Sequence, residues 1–212
     1  MSEKFQNKIT KKGVEVFLTD VRLSFPYLYQ PAPPYKNLQG SQSKYSAKLL
    51  LDKVENVDSI KRVQEAYEHL ATVHKVDTKH LERTNLNGLL LKDGANSKHE
   101  EMHKYYYVSA SSKRKPLVID PQGKDIPEEN SEDLVYGGAY VNAKLYVYYT
   151  DIHNGFPALL LGLQFNRHGE PFGSISISAE DFVLKSEDDK VDILDKSLKS
   201  LSGEDINKAL GM

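Results

Sequence analysis

The chain has 212 residues, with 28 Lys and Arg against 30 Asp and Glu, and it contains neither cysteine nor tryptophan. A formal charge of −2 excludes a protein that coats double-helical nucleic acid with a uniformly basic surface, and the absent thiols exclude disulfides, thiolate zinc sites and a cysteine nucleophile. The length allows one sizeable core with decorations. The charge is uneven, because residues 180–212 hold nine acidic and five basic side chains, which leaves the rest of the chain at +2.

The amino terminus, Met1-Ser2-Glu3-Lys4-Phe5, has no apolar run of the signal-peptide kind, and no stretch has the length and apolarity to span a bilayer. The expectation is a soluble cytoplasmic protein. From Val14 to Phe25, short alternating runs predict a first strand, with Phe17, Val21, Leu23 and Phe25 on one side and Arg22 and Ser24 on the other. Pro26, Pro31, Pro33 and Pro34 then predict an extended, irregular connection interleaved with Tyr27, Tyr29 and Tyr35. A second strand over Ser43–Asp52 turns Tyr45, Ala47, Leu49 and Leu51 inward and Lys44, Ser46 and Lys48 outward. One helix follows from Asp58 to about His74, on the stripe Ile60, Val63, Tyr67 and Leu70, with Asp58 or Ser59 as its cap.

Leu89–Leu91 read as a short strand ended by Asp93-Gly94, and Tyr105–Ser112 resumes a period of two. Tyr106, Val108 and Ala110 face in; Tyr105, Tyr107, Ser109, Ser111 and Lys113 face out, with Arg114 and Lys115 beyond. Residues Asp120 to Asp133 hold six acids and read as a solvated loop without chemistry. In Tyr140–Tyr149 the even positions Tyr140, Asn142, Lys144, Tyr146 and Tyr148 share one face, and Val141, Ala143, Leu145 and Val147 share the other. Asn154-Gly155 makes a tight turn into a last strand, Phe156–Phe165. The tail from residue 179 is acidic, with Leu194, Leu198 and Leu201 at helical spacing. The expected organisation is a mainly β barrel of about five strands with one inserted helix over residues 1–178, followed by an acidic, partly helical tail over 179–212.

Outer faces that carry rings and cations together suit stacked bases and phosphates, so an OB-type barrel binding oligonucleotides across its strands is the preferred architecture. The residues assigned to single-stranded nucleic acid are Tyr105, Tyr107, Tyr140, Tyr146 and Tyr148 for stacking and Arg22, Lys44, Lys48, Lys113, Arg114 and Lys144 for phosphates. Asn142 and Ser111 supply neutral hydrogen bonds. A half-wet sheet face packed under a loop or against a protein partner, in a module without DNA affinity, is the competing reading. His99-Glu100-Glu101-Met102-His103 fits the zinc-hydrolase pattern H-E-x-x-H, yet Asp93-Gly94 before it and a strand after it leave about one turn of helix. A zinc metallopeptidase stays as an alternative; a polar loop with two exposed histidines is the expectation. No nucleophile elbow, phosphate-cradling loop or dinucleotide fingerprint is present, and neither a cofactor nor a catalytic centre is expected.

The chain also resembles a family of tailed-phage single-stranded DNA-binding proteins with an OB fold. The resemblance rests on Arg22-Leu23-Ser24-Phe25-Pro26, Lys44-Tyr45-Ser46-Ala47, Ala110-Ser111-Ser112-Lys113, Tyr136-Gly137-Gly138-Ala139-Tyr140-Val141-Asn142-Ala143, and Gly162-Leu163-Gln164-Phe165 with Gly169-Glu170-Pro171-Phe172-Gly173. It implies sequence-tolerant binding of single-stranded DNA in phage replication, recombination or repair, in the host cytoplasm and without a catalytic centre. Phage replication proteins are possible partners through the tail, whose Ala209-Leu210-Gly211-Met212 ending departs from a purely acidic run. A homodimer through an open aromatic edge strand is left open.

Overall fold

The computed structural model describes residues 5–34, 42–152 and 154–173, so the predicted tail helix lies outside the described residues. Ten elements follow one another: β1 (Lys8–Ile9), β2 (Val14–Ala32), β3 (Lys44–Asp52), α1 (Val57–His74), α2 (Thr78–Thr84), β4 (Lys92–Asp93), β5 (Tyr105–Ser112), β6 (Leu117–Ile119), β7 (Tyr140–Val147) and β8 (Ala158–Arg167). The order β2-β3-β5-β8-β7 closes on itself, because β7 pairs with β2 and β5 meets β8 in parallel at Ala110 and Ala158. This is the expected five-stranded barrel in OB order. β1, β4 and β6 are short additions to its edges.

Period-two burial makes the barrel. Val14, Val16 and Leu18 of β2, Leu49 and Leu51 of β3, Val108 and Ala110 of β5, Val141, Ala143, Leu145 and Val147 of β7, and Leu160 and Leu163 of β8 all point into one core. Burying these aliphatic groups at roughly 25 cal/mol per Å² is the main drive for closure. β2 changes phase midway. Asp20 adopts φ 51° at a register shift between Leu18 and Val21, after which Val21 and Leu23 resume the inward positions. Phe17 and Phe25 therefore do not share the side of Val21 and Leu23: Phe17 packs against Phe5 with tilted rings at 5.0 Å, and Phe25 points out.

As far as Ala32 the proline-rich stretch is also not the irregular connection expected from the sequence; Pro33 and Pro34 lie beyond the strand, and Tyr35 lies outside the described residues. β2 runs on to Ala32, and two further register shifts, Ser24/Tyr27 and Tyr27/Ala32, place Pro26 and Pro31 where the ladder needs no donor. The acidic segment is tied down as well, since the Tyr29 hydroxyl donates to the Ile126 carbonyl at 2.7 Å and burial pushes that phenol up to about 12.

α1 closes one side of the core with Ile60, Val63, Ala66 and Leu70. Its capping differs from the prediction, because Asn56 precedes the helix: the Asn56 Oδ1 accepts from Asp52 N at 2.7 Å, and its amide donates to the Thr19 and Asp20 carbonyls at 3.2 Å. A second helix, α2, was not expected; Asp77 caps it by accepting from His80 N at 3.0 Å. Arg62 straps α1 to β2. It is buried and donates to the Phe17 carbonyl (2.8 Å), Ser59 Oγ (2.9 Å) and Thr19 Oγ1 (3.2 Å). Arg62→Ala leaves these buried acceptors unmatched and is expected to cost about 3 kcal/mol in urea-unfolding stability; a loss below 1 kcal/mol would show that water replaces the strap.

Candidate nucleic-acid interface

One register row crosses six strands on the outside of the barrel. Arg167 of β8 lies opposite Tyr140 of β7, Tyr140 opposite Arg22 of β2, Arg22 opposite Leu50 of β3, Leu50 opposite Tyr107 of β5, and Tyr107 opposite Lys92 of β4. At about 4.8 Å per strand spacing the row is roughly 24 Å long. Cations and rings alternate along it except at Leu50.

Its two halves differ in what they leave free. Arg22 is 8 % exposed and spends its donors on the protein, giving Nε to the Gly138 carbonyl at 3.2 Å, Nη1 to the Tyr105 hydroxyl at 3.3 Å, and Nη2 to the Glu170 carbonyl. Its guanidinium lies 4.4 Å from the Phe172 ring centroid and 5.3 Å from that of Tyr140. Arg22 thus braces the rings, in place of the free phosphate contact expected from the sequence. Tyr105 is a second departure: at 3 % exposure it packs with Leu50 and Met102 and has no open face for a base. Tyr140 keeps partial exposure, with the Arg167 guanidinium 3.4 Å from its centroid and Arg167 ion-paired to Asp20 at 2.7 Å.

The other half is electrostatically open. The Lys48 and Lys92 ammonium groups lie 5.6 and 5.9 Å from the Tyr107 ring centroid, and Lys48 also lies 4.6 Å from that of Phe25. Burial holds both lysines below their usual range; for Lys92 the Lys48 charge adds to it, and for Lys48 the Glu101 carboxylate partly offsets it. Neither has an ion-pair partner among the described residues. Two half-desolvated cations at one phenol ring make a site that an anion would stabilise.

From here the outer face of β3 and β5 continues through Ser109 beside Lys48 and Ser111 beside Ser46 to Lys44 at the far end. Where β5 and β8 part beyond Ala110 and Ala158, a groove of about 650 Å³ opens, lined by Lys44, Ser111, Lys113, Arg114, Lys115 and Tyr148. No acidic side chain lines it among the described residues. Five of the residues singled out in the sequence therefore meet in one place. Tyr107 on β5 and Lys113 just beyond its end are six residues apart, or about 20 Å when extended.

The β7 stripe is divided. Asn142 is structural, accepting from Asp20 N at 2.9 Å and donating to Gln164 at 3.2 Å, which secures the bulge in β2. Lys144 pairs with Glu15 at 2.9 Å and so holds that carboxyl below its usual range. The Tyr146 hydroxyl shares a hydrogen bond with Thr10 Oγ1 at 3.1 Å, and its ring stacks on Tyr148 at 6.4 Å. Lys144 and Tyr146 neighbour Phe17 and Glu15 of β2 and Gly162 and Leu159 of β8, away from β3 and β5. The residues assigned from the sequence to one set of nucleic-acid contacts thus lie on two surfaces joined at Tyr140 and Tyr148.

Sequence reasoning missed Lys92, Phe25 and Tyr27. Lys92 directly follows the predicted strand Leu89–Leu91, which starts later than expected, at Lys92. Tyr27, 41 % exposed and opposite Ser46, belongs to the stretch read as an irregular connection. The H-E-x-x-H segment is not a metal-binding helix: Glu100–Met102 form one 3₁₀ turn, the His103 ring nitrogen lies 2.9 Å from the Ser97 carbonyl, and the His99 ring meets Phe25 edge-on at 4.7 Å. Met102 is fully buried over Leu50, so the segment is also less wet than expected; it covers part of the outer sheet face.

Comparison with known proteins agrees with this architecture. "Putative protein p50" of Acyrthosiphon pisum secondary endosymbiont phage 1 is 32 % identical over 178 residues, spanning 80 % of this chain and 92 % of that protein. The single-stranded DNA-binding protein from bacteriophage Enc34 in complex with ssDNA superposes with a TM-score of 0.61 at 26 % identity, covering 81 % of this chain and 100 % of that one. Its C-terminal truncation gives 0.61 at 25 % identity over 81 % and 99 %. These relatives of known structure are binding proteins and not enzymes. Residues 14–194 match the family model described as Enterobacter phage Enc34, ssDNA-binding protein, and the chain therefore belongs to that family.

Proposed function

We propose that this protein holds phage single-stranded DNA, without strong sequence preference, on the outer face of β3 and β5. Bases stack on Tyr107 and, at the edge of the surface, on Tyr140 and Tyr148; Lys48, Lys92, Lys44, Lys113 and Arg114 hold phosphates, and Ser109 and Ser111 add neutral hydrogen bonds. The observation that carries this reading is the run of cations from Lys92 and Lys48 to Lys44 and Arg114, separated by small hydroxyls and none of them in an ion pair among the described residues. The Enc34 protein's capture with ssDNA supports it. The same surface suits strands exposed during phage DNA replication, recombination or repair in the host cytoplasm.

A Lys113→Ala, Arg114→Ala variant tests the groove. In titrations of labelled oligo-dT over a salt series its affinity falls about tenfold at low salt, and the log–log salt slope drops by about 1.4, or 0.7 per lost phosphate contact. Lys144→Ala, Tyr146→Ala, on the far side of β7, stays within about twofold of wild type because those side chains already have protein partners. The reverse outcome would move the strand onto β7. An absence of binding by wild type would leave an interaction module without DNA affinity.

A further inference from the structure

Phe25 is the least comfortable residue of the surface. Its backbone sits at φ 49°, the left-handed region, where a bulky side chain is an outlier. Pro26 follows it, and a residue before proline is steered toward extended conformations, so the sequence opposes this geometry twice. The reward for the strain is not burial. Phe25 is 36 % exposed, whereas Val21 and Leu23 of the same strand are fully buried.

What the geometry secures is a displayed ring. The register shift between Ser24 and Tyr27 turns Phe25 outward, the Lys48 ammonium lies 4.6 Å from its centroid, and His99 supports it edge-on at 4.7 Å and 64°. Lys48 also reaches Tyr107, so one ammonium stands between two rings. Strained backbone clusters at binding and active sites, so an exposed ring held at such a position points to a role in binding.

We infer that Phe25 is a stacking platform for an unpaired base, displayed at the expense of fold stability, with Lys48 holding the phosphate of the same nucleotide. The assignment rests on the single-stranded DNA reading above and adds to it a residue that neither the stripe of tyrosines nor the alternation of β2 indicates. A flat, uncharged ring accepts any base, in keeping with sequence-tolerant binding.

The chain has no tryptophan, so Phe25→Trp supplies a sole indole reporter. Its fluorescence is expected to be quenched by oligo-dT, saturating at the concentrations at which anisotropy of labelled oligo-dT saturates. In parallel, Phe25→Asn removes the ring but suits the left-handed backbone. Its urea midpoint equals or exceeds that of wild type while its affinity falls at least tenfold. A purely structural role gives the opposite pattern, a lower midpoint with affinity retained, and either that result or an unquenched indole at saturation overturns the assignment. If Lys48→Ala weakens binding and Phe25→Asn does not, the platform alone fails. If wild type does not retain oligo-dT, the DNA reading fails and takes the platform with it.

Discussion

Removing both ammonium groups around Tyr107, in a Lys48→Ala, Lys92→Ala variant, is expected to weaken oligo-dT binding about 100-fold at low salt and to lower the salt slope by about 1.4. At these half-desolvated positions each charge-assisted phosphate contact contributes on the order of 1.5 kcal/mol, more than at the exposed Lys113 and Arg114, and each releases about 0.7 counterion from a single strand. The fold should not suffer. Neither lysine has an ion-pair partner among the described residues, and both are desolvated, so losing them leaves stability unchanged or raised.

The pH dependence separates the two effects. A lysine whose folded pKa lies below its unfolded value binds fewer protons when folded within that window, so stability rises with pH between the lowered value and the ordinary 10.5. Affinity falls across the same window as the ammonium charge is lost. Wild type should show both trends and the double variant a smaller rise in stability and a smaller fall in affinity, read by urea unfolding and anisotropy at matched pH. Parallel loss of stability and affinity in wild type would mean that the lysines are structural.

Much of this surface was legible in the sequence, and the exceptions have physical causes. Alternation in Tyr105–Ser112 and Tyr140–Val147 identified two barrel strands and their outward sides, because period two is a direct image of the pleat. It could not say which outward residues would be covered. Tyr105 lies on the predicted side but under Met102, and Arg22 lies on the predicted side but beneath Phe172 and the Glu170 carbonyl, both supplied by distant segments. Alternation also fails across bulges, which is why Phe17 and Phe25 were grouped with Val21 and Leu23. The short β1 and β6 have too few residues to show a period, and they form only because β2 and β8 offer edges. α2 is different: Asp77 caps it, but seven residues bury a single leucine and leave no apolar stripe to read.

Gly138→Ala is expected to give the largest loss of stability among single substitutions at the site, about 4 kcal/mol by urea unfolding. Gly138 adopts φ 112°, and an alanine Cβ there would stand 2.2 Å from the Glu170 carbonyl oxygen and 3.0 Å from Pro171 Cα. Both obstacles are backbone and cannot swing aside, so the strain of the conformation adds to the displacement of a segment. That segment carries the brace of the site, since Gly138 and Glu170 supply the carbonyls that hold Arg22, Gly138 N donates to the Leu23 carbonyl at 2.8 Å, and Phe172 N to that of Gly137 at 2.9 Å. If alanine acts by pushing the Glu170 carbonyl off Arg22, then Arg22→Lys should cost at least 1 kcal/mol less in the Gly138→Ala background than in wild type. Strict additivity would show that the damage stays in the Gly137-Gly138 turn and that Arg22 keeps its acceptors. Coupling would show instead that one glycine without a Cβ allows a buried guanidinium to align Tyr140 and Phe172 at the edge of the binding surface.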